Sequence, residues 1–418
     1  MQGRPGHAGR RAGRAPLAWD PVPTGAELAP ERFLDCALAA AGAALDGVEG
    51  RVAGLGVASM AETGVLLDRR GAPVIPAIAW HDIRGGEQAE RLTADLGRER
   101  YATRTGLSSE PMRTVVKLRW LRDHVEETAR GVRWLSVGEW IVHRLGGQQC
   151  AELSLASRTG FLDLATRSWW DEPLAWAGAP AGLLPEPAEA GTPLGTVGDA
   201  LAAARGAVLA VCGHDHLSAA VGAGAVADGD VLDSWGTAEA FVRAAAPLEP
   251  DRVLAAVQNG IDVGWHAVPG RQNLLCGNRS GAALGHILDL LGVDAEGRDA
   301  LEHAALETTP GAGLTVQGMD DDGLELVGIG AGVSPARVWR AALESAARAA
   351  DEILERMARV AGPHRRVVMT GGWSEGVAAR AIREAHVGPL ERVEARWAGA
   401  RGAALIAGRA AGLVGDAG

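Results

Sequence analysis

Two periodicities of apolar residues run along this chain. Over Pro30–Leu45 they recur at helical spacing, and 52–57 is a short β-like run. Strand-like segments at 64–67 and 74–80 flank Asp68-Arg69-Arg70-Gly71, which predicts a hairpin. Helical patterns follow at 84–96, Thr114–His124 and Val137–Arg144, and the Pro/Gly/Ala-rich stretch 180–196 is predicted to be a surface connection. A buried strand at 208–212 leads into a turn at Gly213, and 216–225 has the small residues of a tightly packed helix. A strand at 231–235 opens a second half. There Pro335–Ala361 reads as a long amphipathic helix with proline in its first turn. The strand Arg366–Thr370 ends in Gly371-Gly372 and is followed by a helix to about Ala385, and 399–412 is a second small-residue helix. Strands and helices alternate in both halves, so the fold class is α/β.

Composition narrows the chemistry. A chain of 418 residues has room for two cores, and 47% hydrophobic with 22% charged residues is ordinary for a globular protein. The net charge of −11 disfavours a nucleic-acid surface, and no apolar run is long enough to span a bilayer. Cys36, Cys150, Cys212 and Cys276 are scattered without a CxxC pair, which predicts a reducing, cytoplasmic setting. Lys117 is the only lysine and follows Val116, so a Gly-Lys-Ser/Thr phosphate loop is excluded. Gly328-Ile329-Gly330-Ala331-Gly332 lacks the last glycine of a dinucleotide fingerprint, because Val333 follows. Residues 1–14 hold four arginines and four glycines and no acid, and are expected to be a disordered or mis-assigned leader.

Four groups of residues offer chemistry. Asp215, between His214 and His216 at a strand end, suits either a helix N-cap or a general base. Gly236-Thr237 ends a strand and presents amides and a hydroxyl to phosphate, or is an ordinary turn. Gly371-Gly372 permits close approach of a ring or phosphate, or is likewise a turn. Trp80-His81-Asp82-Ile83-Arg84 gathers a stacking face with paired polar groups suited to a polyol, against the alternative of a surface salt-bridge cluster. His-Asp-His at 214–216 is not expected to hold a metal, since consecutive turn residues converge poorly on one ion.

In this order the segments resemble the FGGY family of carbohydrate kinases, from about Ala15 to Gly412. The resemblance rests on 55–68 and 76–84, on Ser157-Arg158-Thr159-Gly160-Phe161-Leu162-Asp163 with Trp169, and on Gly213-His214-Asp215-His216. It continues through Ser234-Trp235-Gly236-Thr237, Trp339-Arg340-Ala341-Ala342-Leu343-Glu344 and Gly371-Gly372-Trp373-Ser374. It implies two actin-like (ribonuclease H-like) domains closing on sugar and ATP with Mg2+, a sugar-binding one over 15–228 and a nucleotide-binding one over 229–418. It makes Asp215 the base. Gly236 and Thr237 would hold phosphates, Gly371, Gly372 and Ser374 would face adenosine, and Glu62, Trp80, Asp82, Arg84 and His216 would line the sugar site. The expected partner is a small sugar, polyol or sugar acid, and a homodimer is one assembly open to it.

Two departures stand out. Met60-Ala61-Glu62 replaces the Met-His of xylulokinase-like members, and Glu62 leans towards a polyol or atypical sugar. The family's first phosphate motif, a strand bearing Asp-x-Gly-Thr, is absent, so the first domain is expected to be truncated at its N-terminus. The alternative function is a kinase-fold protein that binds sugar or nucleotide without transfer.

Overall fold

Residues 12–311, 313–319, 323–393 and 397–413 are described in this computed structural model. The leader expected over 1–14 lies outside the described residues apart from its last three positions. Of these, Arg14 places its guanidinium over the Trp397 ring at 4.1 Å.

The first half begins with an antiparallel hairpin, Asp20–Val22 (β1) and Gly25–Leu28 (β2), followed by helix Pro30–Leu45 (α1) with proline in its first turn. Strands Gly54–Ser59 (β3), Gly64–Leu67 (β4) and Ala77–Ile78 (β5) come next, then helix Thr114–His124 (α2), strand Arg133–Ser136 (β6) and helix Val137–Arg144 (α3). Strand Val208–His214 (β7) and helix Asp215–Ala223 (α4) close this half. The expected hairpin across 64–80 forms as far as Val74: Asp68 Oδ1 accepts from the amides of Arg70 and Ala72, Leu67 bridges Pro73 in antiparallel, and the Val74 amide donates to Leu66 O at 2.8 Å. Pro73 and Pro76 cannot donate to a ladder, so the hairpin goes no further; β4 pairs along its whole length with β6 on its other edge, and β5 with β2. The stretch 180–196 is also less superficial than expected. Leu183, Leu184 and Leu194 are buried, and Pro187–Ala188 pairs in parallel with Ala151–Glu152.

β3 and β7 run parallel, with Val57 opposite Val211 and, after a shift in register, Ser59 opposite His214. Among the described residues the other edge of β3 has no strand partner. A groove of about 400 Å³ lies beside it, lined by Leu34 and Leu38 of α1, Leu55 and Val57 of β3, Ile141 of α3, and Asp215.

The second half is built on one six-stranded sheet. Its strands are Asp230–Trp235 (β8), Glu239–Ala245 (β9), Asp262–Trp265 (β10), Gln272–Asn278 (β11), Arg366–Thr370 (β12) and Leu390–Arg392 (β13), in the order β10-β11-β9-β8-β12-β13. Helices Ser280–Leu291 (α5), Pro335–Ala361 (α6), Val377–Val387 (α7) and Ala398–Ala410 (α8) accompany it. α6 is capped by Ser334, whose hydroxyl accepts from the Arg337 amide, and it buries Trp339, Leu343, Ala346, Ala350, Ile353 and Met357 at helical spacing. α8 returns to the first half and crosses α4. A Cβ on Gly222 would meet Ala398 O at 1.9 Å, and one on Gly402 would meet Ser218 O at 1.7 Å, so only glycine permits this approach. Among the described residues no helix is long and apolar enough to cross a membrane.

Candidate active site

The two parallel strand pairs define where side chains can converge. β3 and β7 end together, which sends Glu62 and Asp215 out at one edge. In the second half β8 and β12 are parallel neighbours with Ser234 opposite Thr370, so Gly236-Thr237 and Gly371-Gly372 leave the sheet side by side. The carboxyl ends of parallel strands are where α/β sheets bind ligands, because the chain turns there and frees backbone groups.

At the first edge, His214 occupies the N-cap position and Asp215 is the first residue of α4. The carboxylate is therefore not a cap. Its Oδ1 accepts from the His216 amide at 2.7 Å and lies 3.1 Å from His214 Nε2, and the side chain is 49% exposed. His214 is buried, and burial pushes its pKa down to about 3 even though Asp215 opposes the shift, so the ring is neutral and Nε2–H donates to Asp215. The turn is fixed from behind. Gly213 sits at φ +88, where a Cβ would come within 2.6 Å of Ser154 Oγ. That hydroxyl accepts from the His214 amide at 2.9 Å and donates to Glu152 Oε2 at 2.6 Å. Glu152 is fully buried and burial pushes its carboxyl up to about 7, against the hydrogen bonds it accepts. The ligand atoms of His214, Asp215 and His216 lie within 4.8 Å of one another, so the geometric objection to a shared ion does not hold. The first turn of α4 curls His216 back towards its neighbours.

Glu62 is buried at φ +58, a left-handed conformation rare for a residue with a side chain. Its Oε1 accepts from Arg113 Nη1 at 3.1 Å and Arg158 Nε at 2.7 Å. The same two guanidiniums grip Asp262 of β10, Arg113 Nη2 at 2.9 Å and Arg158 Nη1 at 2.6 Å. Burial alone would raise the Asp262 pKa, but Arg113 and Arg158 outweigh it and hold the carboxyl below its ordinary range. This quartet ties the first half to the second.

The Trp80–Arg84 segment divides. Trp80 is 40% exposed, with His81 packed edge-on against it. Asp82 and Arg84 are buried and bound to each other, Nε to Oδ1 at 2.8 Å and Nη2 to Oδ2 at 2.8 Å. Arg84 Nη1 also binds Glu27, and Asp82 Oδ2 accepts from the Ala26 amide at 3.2 Å. These two residues thus brace the β1-β2 hairpin, with their polar atoms already occupied. Neither the polyol rim nor the surface cluster weighed from sequence describes them.

At the second edge Thr237, Gly371 and Gly372 are exposed. Gly371 is at φ +100, and a Cβ there would lie 2.3 Å from Trp235 O. The first turn of α5 abuts Gly236, since a Cβ on Gly281 would lie 1.8 Å from Gly236 O. Ser374 is buried and donates from Oγ to Gly371 O at 2.6 Å, so it shapes the turn from inside. Beneath these turns Arg383 is buried between Asp233 Oδ2 at 3.1 Å and Glu239 Oε1 at 2.7 Å, its guanidinium 3.9 Å over the Trp235 ring. Burial raises the Asp233 carboxyl well above its ordinary value, despite the Arg383 charge.

Arg113, Arg158, Asp262 and Glu152 were not singled out from sequence. Arg158 stands inside the Ser157–Asp163 segment, and Arg113 precedes Lys117 by one helical turn, but Asp262 is 149 positions from Arg113 and carries no local signal.

Residues 18–222 match the N-terminal domain of the FGGY family of carbohydrate kinases. The chain is 30% identical over 415 residues to a xylulose kinase of Streptomyces coelicolor, covering 94% of this chain and 80% of that relative. It is 32% identical over 218 residues to a glycerol kinase of Rhizorhabdus wittichii, covering 49% and 42% of the two chains. The solved xylulose kinase of Rhodospirillum rubrum superposes with a TM-score of 0.81 at 25% identity, over 94% of this chain and 83% of that one.

Proposed function

Because the chain belongs to the FGGY family of carbohydrate kinases, we propose that it transfers the terminal phosphoryl group of ATP to a hydroxyl of a small sugar, polyol or sugar acid. The α/β fold is that of the family's two actin-like domains, divided here near 228/229. The observation that carries the reading is the Asp215 carboxylate: half exposed at the end of β7, with Oδ1 taking the His214 and His216 contacts. That leaves Oδ2 for the proton of an attacking hydroxyl. As the bond from hydroxyl oxygen to phosphorus forms, the bond to the β-phosphate oxygen breaks, ADP leaves, and the proton passes to Asp215. Glu62, Trp80 and His216 are the sugar-facing groups in this reading, joined by Arg158. Asp82 and Arg84 support them from behind.

Gly236, Thr237, Gly371 and Gly372 receive the nucleotide. Bare backbone at paired strand ends suits phosphate oxygens, and the close approach of Gly371 to Trp235 O leaves no space for a side chain. Mg2+ carried on the phosphates would offset their charge. Asp233 and Glu239 are buried and directed at Arg383, so the ion would be held by nucleotide oxygens rather than by these carboxylates.

The test is ADP release across a panel of polyols, ketoses and sugar acids. Asp215→Asn should lower kcat by about 10²-fold or more while ADP still binds. A variant with full activity, or a wild-type protein inert towards the whole panel, would sink the proposal. A second reading is sugar or nucleotide binding without transfer, in the groove beside β3 that reaches Asp215. Calorimetric binding of ligand with no turnover would select that reading.

A further inference from the structure

Lys117 takes no part in the chemistry above, yet it is completely buried on α2. Its Nζ donates to three backbone carbonyls, Ala79 O at 2.7 Å, Glu62 O at 3.0 Å and Trp80 O at 3.4 Å. An ammonium has three N–H groups, so every donor is used, and none goes to a carboxylate. The acceptors belong to two separate segments. One carries Glu62 in its left-handed conformation, and the other carries the exposed ring of Trp80. A left-handed residue with a side chain persists only where its surroundings over-determine it. For Glu62 those surroundings are Arg113 and Arg158 on the carboxylate and Lys117 on the carbonyl.

We propose that Lys117 is the positioning residue of the sugar wall: its ammonium fixes the Glu62 carboxylate and the Trp80 ring in the relative placement that accepts substrate, so substrate affinity and lysine protonation are linked. This rests on the proposed function. Burial lowers the lysine pKa to about 8; Glu62 and Asp82 favour the charge, and Arg84 and Arg113 oppose it. The neutral amine has two N–H groups for three carbonyls, and Trp80 O, the longest contact, is released first. By reciprocity, a ligand that binds the protonated form more tightly raises the lysine's midpoint by the same factor.

The experiment uses the whole chain and exploits its single lysine, since ε-13C-lysine labelling gives one resonance. Its shift and the amide signals of Glu62, Thr63, Trp80 and His81 are followed from pH 6.5 to 10, without ligand and with saturating glycerol or D-xylulose. The proposal expects the amides to share the lysine's midpoint near 8 and a bound probe to raise that midpoint by up to about one unit. Probe affinity should fall by up to about fivefold between pH 7 and 9, and Lys117→Arg should flatten that dependence. Amides that ignore the lysine, or a midpoint and affinity indifferent to each other, overturn the positioning role. Amides that follow the lysine in a protein that binds neither probe, nor any member of the sugar panel, overturn the sugar-site reading instead, and with it the proposed function. If Lys117→Arg does not fold, the wild-type titration decides alone.

Discussion

The two parallel strand ends are organised by opposite means. At the end of β3 and β7 the site is crowded with charge: Asp215 beside His214, and Glu62 with Arg113, Arg158 and Asp262 closing round it. At the end of β8 and β12 the exposed residues are Thr237, Ala238, Gly371 and Gly372, and the charges lie beneath, around Arg383. The first edge positions groups by ion pairing and the second by leaving side chains out. The contrast fits what each would recognise. A sugar hydroxyl needs directed donors and acceptors, whereas phosphate needs backbone amides at close range.

The sharpest way to break this contrast is to give the second edge a side chain. Gly371→Val combines a left-handed backbone with a Cβ 2.3 Å from Trp235 O. It should weaken ADP binding by about 100-fold or more (roughly 3 kcal/mol), read by calorimetry, with sugar affinity little changed. Equal loss on both sides would mean the two edges are not separable.

Arg383→Met comes next. It leaves Asp233 and Glu239 buried without their cation and should destabilise the protein by about 3–5 kcal/mol in urea unfolding. A change below about 1 kcal/mol would show that the buried ions are not what holds the glycine turns.

A pH series separates the two halves of the first edge. His214 is neutral in the fold down to about 3, whereas an unfolded histidine titrates near 6.5. The unfolded chain therefore binds the extra proton between those values, so this contribution is present above pH 6.5 and is lost as pH falls towards 3. His214→Asn should flatten the fall in melting temperature across that range. An unchanged slope would mean the ring titrates in place. The smallest effect expected is from Ser374→Ala, which removes one inner hydrogen bond, about 1 kcal/mol, and should raise KM for ATP several-fold but not KM for sugar.

Much of this was legible in the order of residues. The strands at 208–212, 231–235 and Arg366–Thr370 and the helix Pro335–Ala361 lie where periodicity put them, because each buries a repeating face within its own span. Asp215 was visible because strand, turn and helix occur consecutively. The hairpin at 64–80 forms only as far as Val74; the longer partner of 64–67, Arg133–Ser136, lies some 70 positions on, and local turn chemistry is silent about distant edges. Asp82 and Arg84 show the same limit. Next to Trp80 they read as a binding rim, but Glu27, 57 residues before Arg84, draws Arg84 inward. The quartet around Glu62 depends on Asp262, whose sheet only the folded chain brings near.

The contact between α4 and α8 bears on how the protein is handled and mutated. α8 touches the helix that begins with Asp215 through Gly222, Gly402 and the bond from Ser218 Oγ to Gly399 O at 3.0 Å. A tolerance map of this sequence should therefore contain an island of intolerance near position 400, and trimming that helix to tidy a crystallisation sample would remove a wall of the Asp215 turn.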